Sequence, residues 1–254
     1  WMAKLEQRCF EDPIIHSETT KYQHLVLTKS RYKDRTRLYI DGHLQFSSED
    51  EVIYHEMLVH VPMSVAKRHE RVLILGGGDG LALREVLRYR DVREVTLVDI
   101  DPAIIRLASE HPELIRMNRA AFHDGRVHTR IAAGVDSGES RVIQCRTKRQ
   151  PFIDQSEYKL ATVNIYTVDA DMFARGSQGQ YDVVLIDFPD PRSIELAKLY
   201  SVNFYKALAR RLTPNAVVSI QSTNPYRAKQ VFRCIGVTLQ RAGFRCLAYH
   251  DHVP

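Results

Sequence analysis

Residues 72–101 read VLILGGGDGLALREVLRYRDVREVTLVDID. The apolar run Val72–Leu75 enters a glycine turn, Gly76-Gly77-Gly78-Asp79-Gly80. A helical pattern follows, and a second apolar run ends at Asp99. Strand, glycine loop, helix and a second strand closed by an acid make up the unit that grips a nucleoside-bearing ligand. The loop lets backbone approach the ligand, and the acid accepts hydrogen bonds from the ribose hydroxyls. Leu81-Ala82 stand where a dinucleotide fingerprint has its third glycine, so the spacing favours a sulfonium nucleoside of the adenosylmethionine type over NAD. Asp79 is the unusual member. A carboxylate in the loop repels a ligand presenting its own carboxylate or phosphate there and attracts one presenting an amine.

Downstream, apolar runs recur near 163–168, at DVVLID (182–187) and at AVVSIQ (216–221), with helical stretches near 80–89, 102–110, 194–211 and 225–242. Short apolar runs alternating with helices predict a doubly wound, Rossmann-like α/β domain whose parallel strands are buried on both faces. Ligands in such folds bind at the carboxyl ends of the strands. Gly76, Asp99, Asp169 and Asp187 fall at those ends, so one crevice is expected to collect several acids. Asp101 reads as a cap for a helix starting at Pro102.

Upstream, residues 22–46 alternate as short strands with an Asp41-Gly42 turn. Ser47 or Ser48 is expected to cap a helix with an acidic first turn, Glu49-Asp50-Glu51, ending near His60 with Pro62 just beyond. The chain therefore divides into a small β-rich unit with a connecting helix, residues 1–62, and a catalytic domain, residues 63–254. The polar stretch at about 129–162 reads as an inserted loop.

The chain has 254 residues, 44% of them hydrophobic, which is enough for a substantial core. The 36 basic and 31 acidic residues leave a net charge of +5, but the basic residues are scattered and lack interleaved aromatics, so no nucleic-acid partner is expected. The four cysteines form no CxxC pair, which argues against a zinc site and suits a reducing, cytoplasmic compartment. No apolar run approaches the roughly 18 residues of a membrane helix. The Trp1 start and Pro254 end are read as those of a fragment, so the chain could equally be the cytosolic domain of a longer, membrane-anchored protein.

A second motif is Asp187-Phe188-Pro189-Asp190-Pro191. Its carboxylates stand three residues apart after a buried strand, in a segment stiffened by two prolines. A hard cation usually wants more oxygen ligands than this pair offers, so catalysis or amine binding is preferred and no metal is expected. The histidines show no trusted metal-ligand spacing.

GGGDG, the VDID segment and the D-x-x-D-P segment, in this order, resemble the polyamine aminopropyltransferases, the spermidine synthase family. Tyr22-Gln23, Leu38-Tyr39-Ile40-Asp41-Gly42, Gln45, Asp50-Glu51 and Tyr54-His55-Glu56 agree with it. The form Asp-Phe-Pro-Asp-Pro followed by Leu196-Ala197-Lys198-Leu199-Tyr200 is similar to a bacterial branch whose members often carry membrane helices before this domain.

The resemblance implies a class I methyltransferase-like fold and transfer of an aminopropyl group from decarboxylated S-adenosylmethionine to putrescine. The products would be spermidine and methylthioadenosine, and no cofactor is required. It makes Asp187 the proton acceptor and assigns Tyr54, His55, Asp190 and Tyr200 to the polyamine. Gln23, Gly76, Gly78, Asp79, Asp99, Asp169 and Ala170 go to the donor, and Asp79 meets the donor's amine. Repulsion among several acids is expected to raise the proton affinity of the base. By analogy the assembly is a homodimer or higher. Two alternatives stay open: a methyltransferase using intact S-adenosylmethionine, and a non-catalytic polyamine- or nucleoside-binding domain.

Overall fold

The computed structural model describes residues 5–125, 128–133, 161–176, 179–223, 225–226 and 228–250. Strands β1 (Ile14–Thr19), β2 (His24–Lys29), β3 (Thr36–Ile40) and β4 (His43–Ser47) form an antiparallel meander in chain order. The β3–β4 turn is Asp41-Gly42, with φ of 51° and 76°, the left-handed pair that tight hairpins need.

Helix α1 (Glu51–Val65) differs from expectation at both ends. Its cap position is Asp50, not Ser47 or Ser48. Ser47 accepts the Glu49 N–H at 3.3 Å and Ser48 accepts the Thr36 N–H at 3.0 Å, so the serines fasten the helix start to the meander. The helix also continues through Pro62 to Val65, and the Ala66 N–H still reaches the Pro62 carbonyl at 3.0 Å. Proline removes one ladder donor. Burial of Leu58, Val59, Pro62 and Met63 on one side offsets that loss.

The second sheet contains β5 (Arg71–Gly76), β6 (Glu94–Asp99), β7 (His128–Ala133), β8 (Thr162–Thr167), β9 (Tyr181–Asp187) and β10 (Leu212–Ile220). All pairings are parallel, in the order β10-β9-β5-β6-β8-β7. The stretch 129–162 is thus not wholly a loop. Residues 128–133 pair with β8 as the edge strand, and Thr162 opens β8 itself. The remainder of the anticipated insertion, 134–160, lies outside the described residues.

Helices α2 (Leu81–Val86), α3 (Pro102–Glu110), α4 (Pro112–Met117), α5 (Ala170–Gly176), α6 (Ile194–Ala197), α7 (Val202–Ala209) and α8 (Lys229–Arg241) complete the fold. The span expected as one helix over 194–211 is broken at Ser201, whose hydroxyl caps α7 by accepting the Phe204 N–H at 3.1 Å. Asp101 caps α3 as expected, accepting the Ala103 N–H at 3.0 Å.

Successive strand residues feed opposite cores. Val72, Ile74, Val183 and Leu185 pack on the side that also holds Leu25, Leu27, Leu38, Leu58 and Met63 of the N-terminal unit. Leu73, Leu75, Val184 and Ile186 pack on the other side with Phe204, Tyr205 and Ile235. One core therefore runs continuously from the meander into the large sheet, and it sets α1 against β9 and β10, with Tyr54 at the carboxyl end of β9.

Candidate active site

The strand order reverses direction between β5 and β9, the point at which an open parallel sheet leaves a crevice beyond its carboxyl ends. Gly76 and Asp187 face each other across that point as register partners. Along the sheet edge stand, in spatial order, Gln221 after β10, Asp187 on β9, the glycine loop after β5, Asp99 on β6 and Asp169 after β8. From β9 to β8 is three strand spacings, on the order of 14 Å, room for a nucleoside carrying a short chain.

The glycines are required by close approach. Gly76 has φ +82°, and a Cβ there would lie 2.2 Å from the Asp187 carbonyl oxygen. At Gly78 a Cβ would meet Ile104 Cγ2 at 2.6 Å and Asp99 Oδ2 at 2.7 Å. Gly76→Ala is therefore expected to cost about 2–4 kcal/mol, from a left-handed alanine plus displacement of β9. Urea unfolding of the variant measures this, and a variant as stable as the parent would contradict the close approach.

The acids are arranged by backbone donors. Asp99 accepts the Gly78 N–H through Oδ2 and the Asp101 N–H through Oδ1, both at 3.0 Å, so β6 and the loop are locked together. Asp79 accepts the Leu81 N–H at 2.9 Å through Oδ1, closing the turn that leads through Gly80 into α2. Burial, joined by the charge of Asp187, pushes the Asp79 carboxyl up to about 6 against the opposing charge of His55. Burial likewise pushes Asp99 up to about 6, against the hydrogen bonds from the Asp101 and Gly78 amides. Asp79 and Asp99, both shifted upward, are two of the three carboxyls assigned to the donor.

Helix α1 supplies the wall opposite. The Tyr54 hydroxyl donates to Asp187 Oδ1. Burial, and then the charge of Asp187, raise the Tyr54 phenol well above its ordinary value, so it stays a donor. His55 is buried behind it, its ring 4.8 Å from the Tyr54 ring and edge-on to it. A ring nitrogen of His55 and one carboxylate oxygen each of Asp79 and Asp187 lie within 4.8 Å of one another. This knot of one imidazole and two acids would suit a cationic nitrogen, and equally a divalent ion.

The remaining expected residues divide. Asp190 belongs to the crevice: it accepts from Gln221 Nε2 at 3.2 Å, Thr223 Oγ1 at 3.4 Å and Arg192 at 3.5 Å. Gln23 lies in the β1–β2 turn, which Thr20 ties to Asp101 Oδ2 at 2.8 Å, so the meander reaches the β6 end of the crevice. Asp169 is occupied: its Oδ1 accepts the Asp171 and Met172 N–H groups at 2.8 and 3.2 Å, and Lys198 holds Oδ2 at 2.7 Å. Burial opposes its charge, but Lys198 and the amides outweigh burial and lower its pKa. Ala170 starts α5 and is buried, while Asp171 turns to Arg175 at 2.8 Å. The Tyr200 hydroxyl donates to the Pro189 and Phe188 carbonyls at 3.0 and 3.3 Å, so it braces the Asp187–Asp190 loop from behind.

The sequence model of the spermine/spermidine synthase domain matches residues 51–137 and 140–254. The chain belongs to the spermine/spermidine synthase family. It is 39% identical over 249 residues to polyamine aminopropyltransferase 2 of Ralstonia nicotianae, covering 98% of this chain and 41% of that protein. It is 41% identical over 251 residues to polyamine aminopropyltransferase 1 of Streptomyces coelicolor, covering 98% and 40%. The chain thus spans about two fifths of the length of these relatives. A crystal structure of a spermidine synthase in complex with the transition state analogue AdoDATO superposes with a TM-score of 0.70 at 24% identity, covering 90% of this chain and 64% of that one. That of the Thermotoga maritima spermidine synthase gives 0.68 at 24% identity. Both share the fold. Among the described residues no helix is long and apolar enough to cross a membrane.

Three participants escaped the sequence reading within this family pattern. Glu51, read only as a first-turn acid and part of a motif, is the partner of His55. Lys198 is the partner of Asp169. Gln221 touches Asp190 through Nε2 while its Oε1 is buried without a hydrogen-bond partner among the described residues. Its place one residue beyond β10, at the same edge as Asp187, is the signal that could have found it.

Proposed function

We propose that this domain transfers the aminopropyl group of decarboxylated S-adenosylmethionine to putrescine, yielding spermidine and methylthioadenosine. The observation that carries the reading is the row of carboxylates along the carboxyl edge of the sheet, with Asp79 and Asp187 meeting at its centre. The donor presents ribose hydroxyls, a sulfonium and a primary ammonium. Asp99 takes the hydroxyls and Asp79 the ammonium. Adenine lies toward Asp169, beside Ala170, with Lys198 displaced or retained as a ring neighbour. The diamine lies on the β9–β10 side, one nitrogen near Asp187 and Tyr54 and the other near Asp190. The orphaned Gln221 Oε1 is an acceptor for an N–H of that second nitrogen.

In the transfer, the acceptor nitrogen gives up a proton to Asp187 and its lone pair attacks the methylene next to sulfur. The C–S bond breaks, the electron pair stays on sulfur, and neutral methylthioadenosine leaves. Sulfonium activation is intrinsic to the donor, so the reading requires no metal. Holding nucleophile and methylene in line supplies most of the rate.

Incubation with putrescine and either donor, with products read by mass spectrometry in the presence of a chelator, tests this. Methylthioadenosine and spermidine from the decarboxylated donor alone are expected. Adenosylhomocysteine from the intact donor would make the chain a methyltransferase. Binding without turnover, repeated on a longer form of the protein, would make it a binding domain.

A further inference from the structure

His55 is held from behind by its own helix. Nδ1 lies 2.7 Å from the Glu51 carbonyl oxygen and 2.9 Å from its carboxylate Oε2. Burial disfavours the Glu51 charge, but the hydrogen bonds from His55 and Arg84 outweigh burial and keep its carboxyl below the ordinary range. Neither a carbonyl nor a carboxylate oxygen can donate, so Nδ1 carries the hydrogen and the nitrogen left for a ligand is Nε2. Glu51 is itself fixed by Arg84, whose Nη1 and Nη2 reach its two oxygens at 2.8 and 3.0 Å. Arg84 is anchored in turn by Glu85 at 2.7 Å and by the Met117 carbonyl at 2.7 Å. All four charged or titratable members, Glu51, His55, Arg84 and Glu85, are buried.

A buried array of this kind gains little net stability, because desolvation offsets most of the Coulomb attraction. It does hold one carboxylate in one place behind one imidazole. The groups facing that imidazole are Glu51 and Tyr54 on α1, Asp79 from the glycine loop and Asp187 from β9, with Arg84 on the far side of Glu51.

We propose that Glu51 is a positioning residue for the transfer reaction, orienting His55 so that Nε2 accepts an N–H of the amine bound beside Asp79 and Asp187. This rests on the reading of the crevice as an amine site. His55 joins Glu51 of the same helix to both central acids.

Side-chain nitrogen NMR of the wild-type chain tests it apart from turnover. The Nδ1–H tautomer is expected at alkaline pH, with putrescine moving the Nε2 resonance. Glu51→Gln should lower the His55 titration midpoint and cost roughly tenfold in kcat/KM, mainly through KM for the amine. An Nε2–H tautomer in the wild type overturns the proposal, as does a folded Glu51→Gln variant with unchanged midpoint and KM. Should that variant fail to fold, the wild-type tautomer and the putrescine-dependent Nε2 shift decide. An Nε2 shift without any methylthioadenosine formation would count against the reaction and not against Glu51.

Discussion

Asp187→Asn is expected to lower turnover by about a thousandfold while donor binding persists. The geometry gives the reason: Asp187 ends β9 at the switch point of the sheet, opposite Gly76 and in contact with the Tyr54 hydroxyl. A positioned general base contributes roughly a hundredfold to ten-thousandfold, and asparagine keeps the shape while losing the proton acceptor. The donor meets chiefly Asp79 and Asp99 in this reading, so its affinity should survive. Steady-state kinetics with calorimetric titration of the donor separates the two effects. Normal turnover in the variant would show that another group takes the proton. Loss of donor binding together with turnover would show that Asp187 serves the cation site and not the chemistry.

The second large effect is on pH dependence, and its sign follows from the raised carboxyls. Asp79 and Asp99 sit at about 6, above the ordinary value of 3.8. Their contribution to stability is full below the unfolded value and is lost as the pH rises through about 6, where the fold must carry two crowded charges. A cationic ligand relieves that cost only once the acids are ionised. His55 titrates in the same sense. Burial disfavours its charge, but Glu51, Asp79 and Asp187 raise its pKa, so it too loses a competing positive charge as the pH climbs.

Affinity for a cationic donor should therefore rise between pH 5 and 7.5, by about tenfold for each acid that ionises, since a group one unit below its pKa is about one-tenth charged. Asp79→Asn should remove about one such factor. Groups with lowered pKa, such as Glu51 and Asp169, act oppositely on stability, and comparing liganded with free protein at each pH cancels them. A flat binding profile, or an unchanged one in Asp79→Asn, would remove these acids from the donor site.

Much of this was written in local patterns. β5, β6 and β9 are legible because each is a short run buried on both faces, and the acids at their ends are placed by that alone. β7 was hidden because His128–Ala133 leads into a long polar stretch, so its edge position had no apolar run to announce it. Helices α4 and α5 are six and seven residues long, too short for a strong period. At the candidate site, type and spacing singled out Asp79, Asp99, Asp187 and Asp190, which the fold brings to one edge of the sheet. What they could not show is which lone pairs are already taken. The Asp169 engagement with Lys198, and Tyr200 turned to backbone carbonyls, depend on elements that meet only in the folded chain. The pairing of Glu51 with His55 is an i,i+4 contact and so locally readable, but its anchoring by Arg84 is not.

In the proposed reaction Asp79 makes the crevice select a donor lacking a carboxylate. In intact S-adenosylmethionine the carboxylate sits on the same carbon as the amine that Asp79 would hold. Repulsion between two such charges a few ångströms apart is worth about 1–4 kcal/mol at a partly buried site, or roughly fivefold to nearly a thousandfold in affinity. Calorimetric titration of the wild-type chain with both donors at pH 7.5 measures the ratio directly. A preference of at least about fivefold for the decarboxylated donor, reduced in Asp79→Asn, is the expected result. Equal affinities, or tighter binding of the intact donor, would rule out this selection by Asp79.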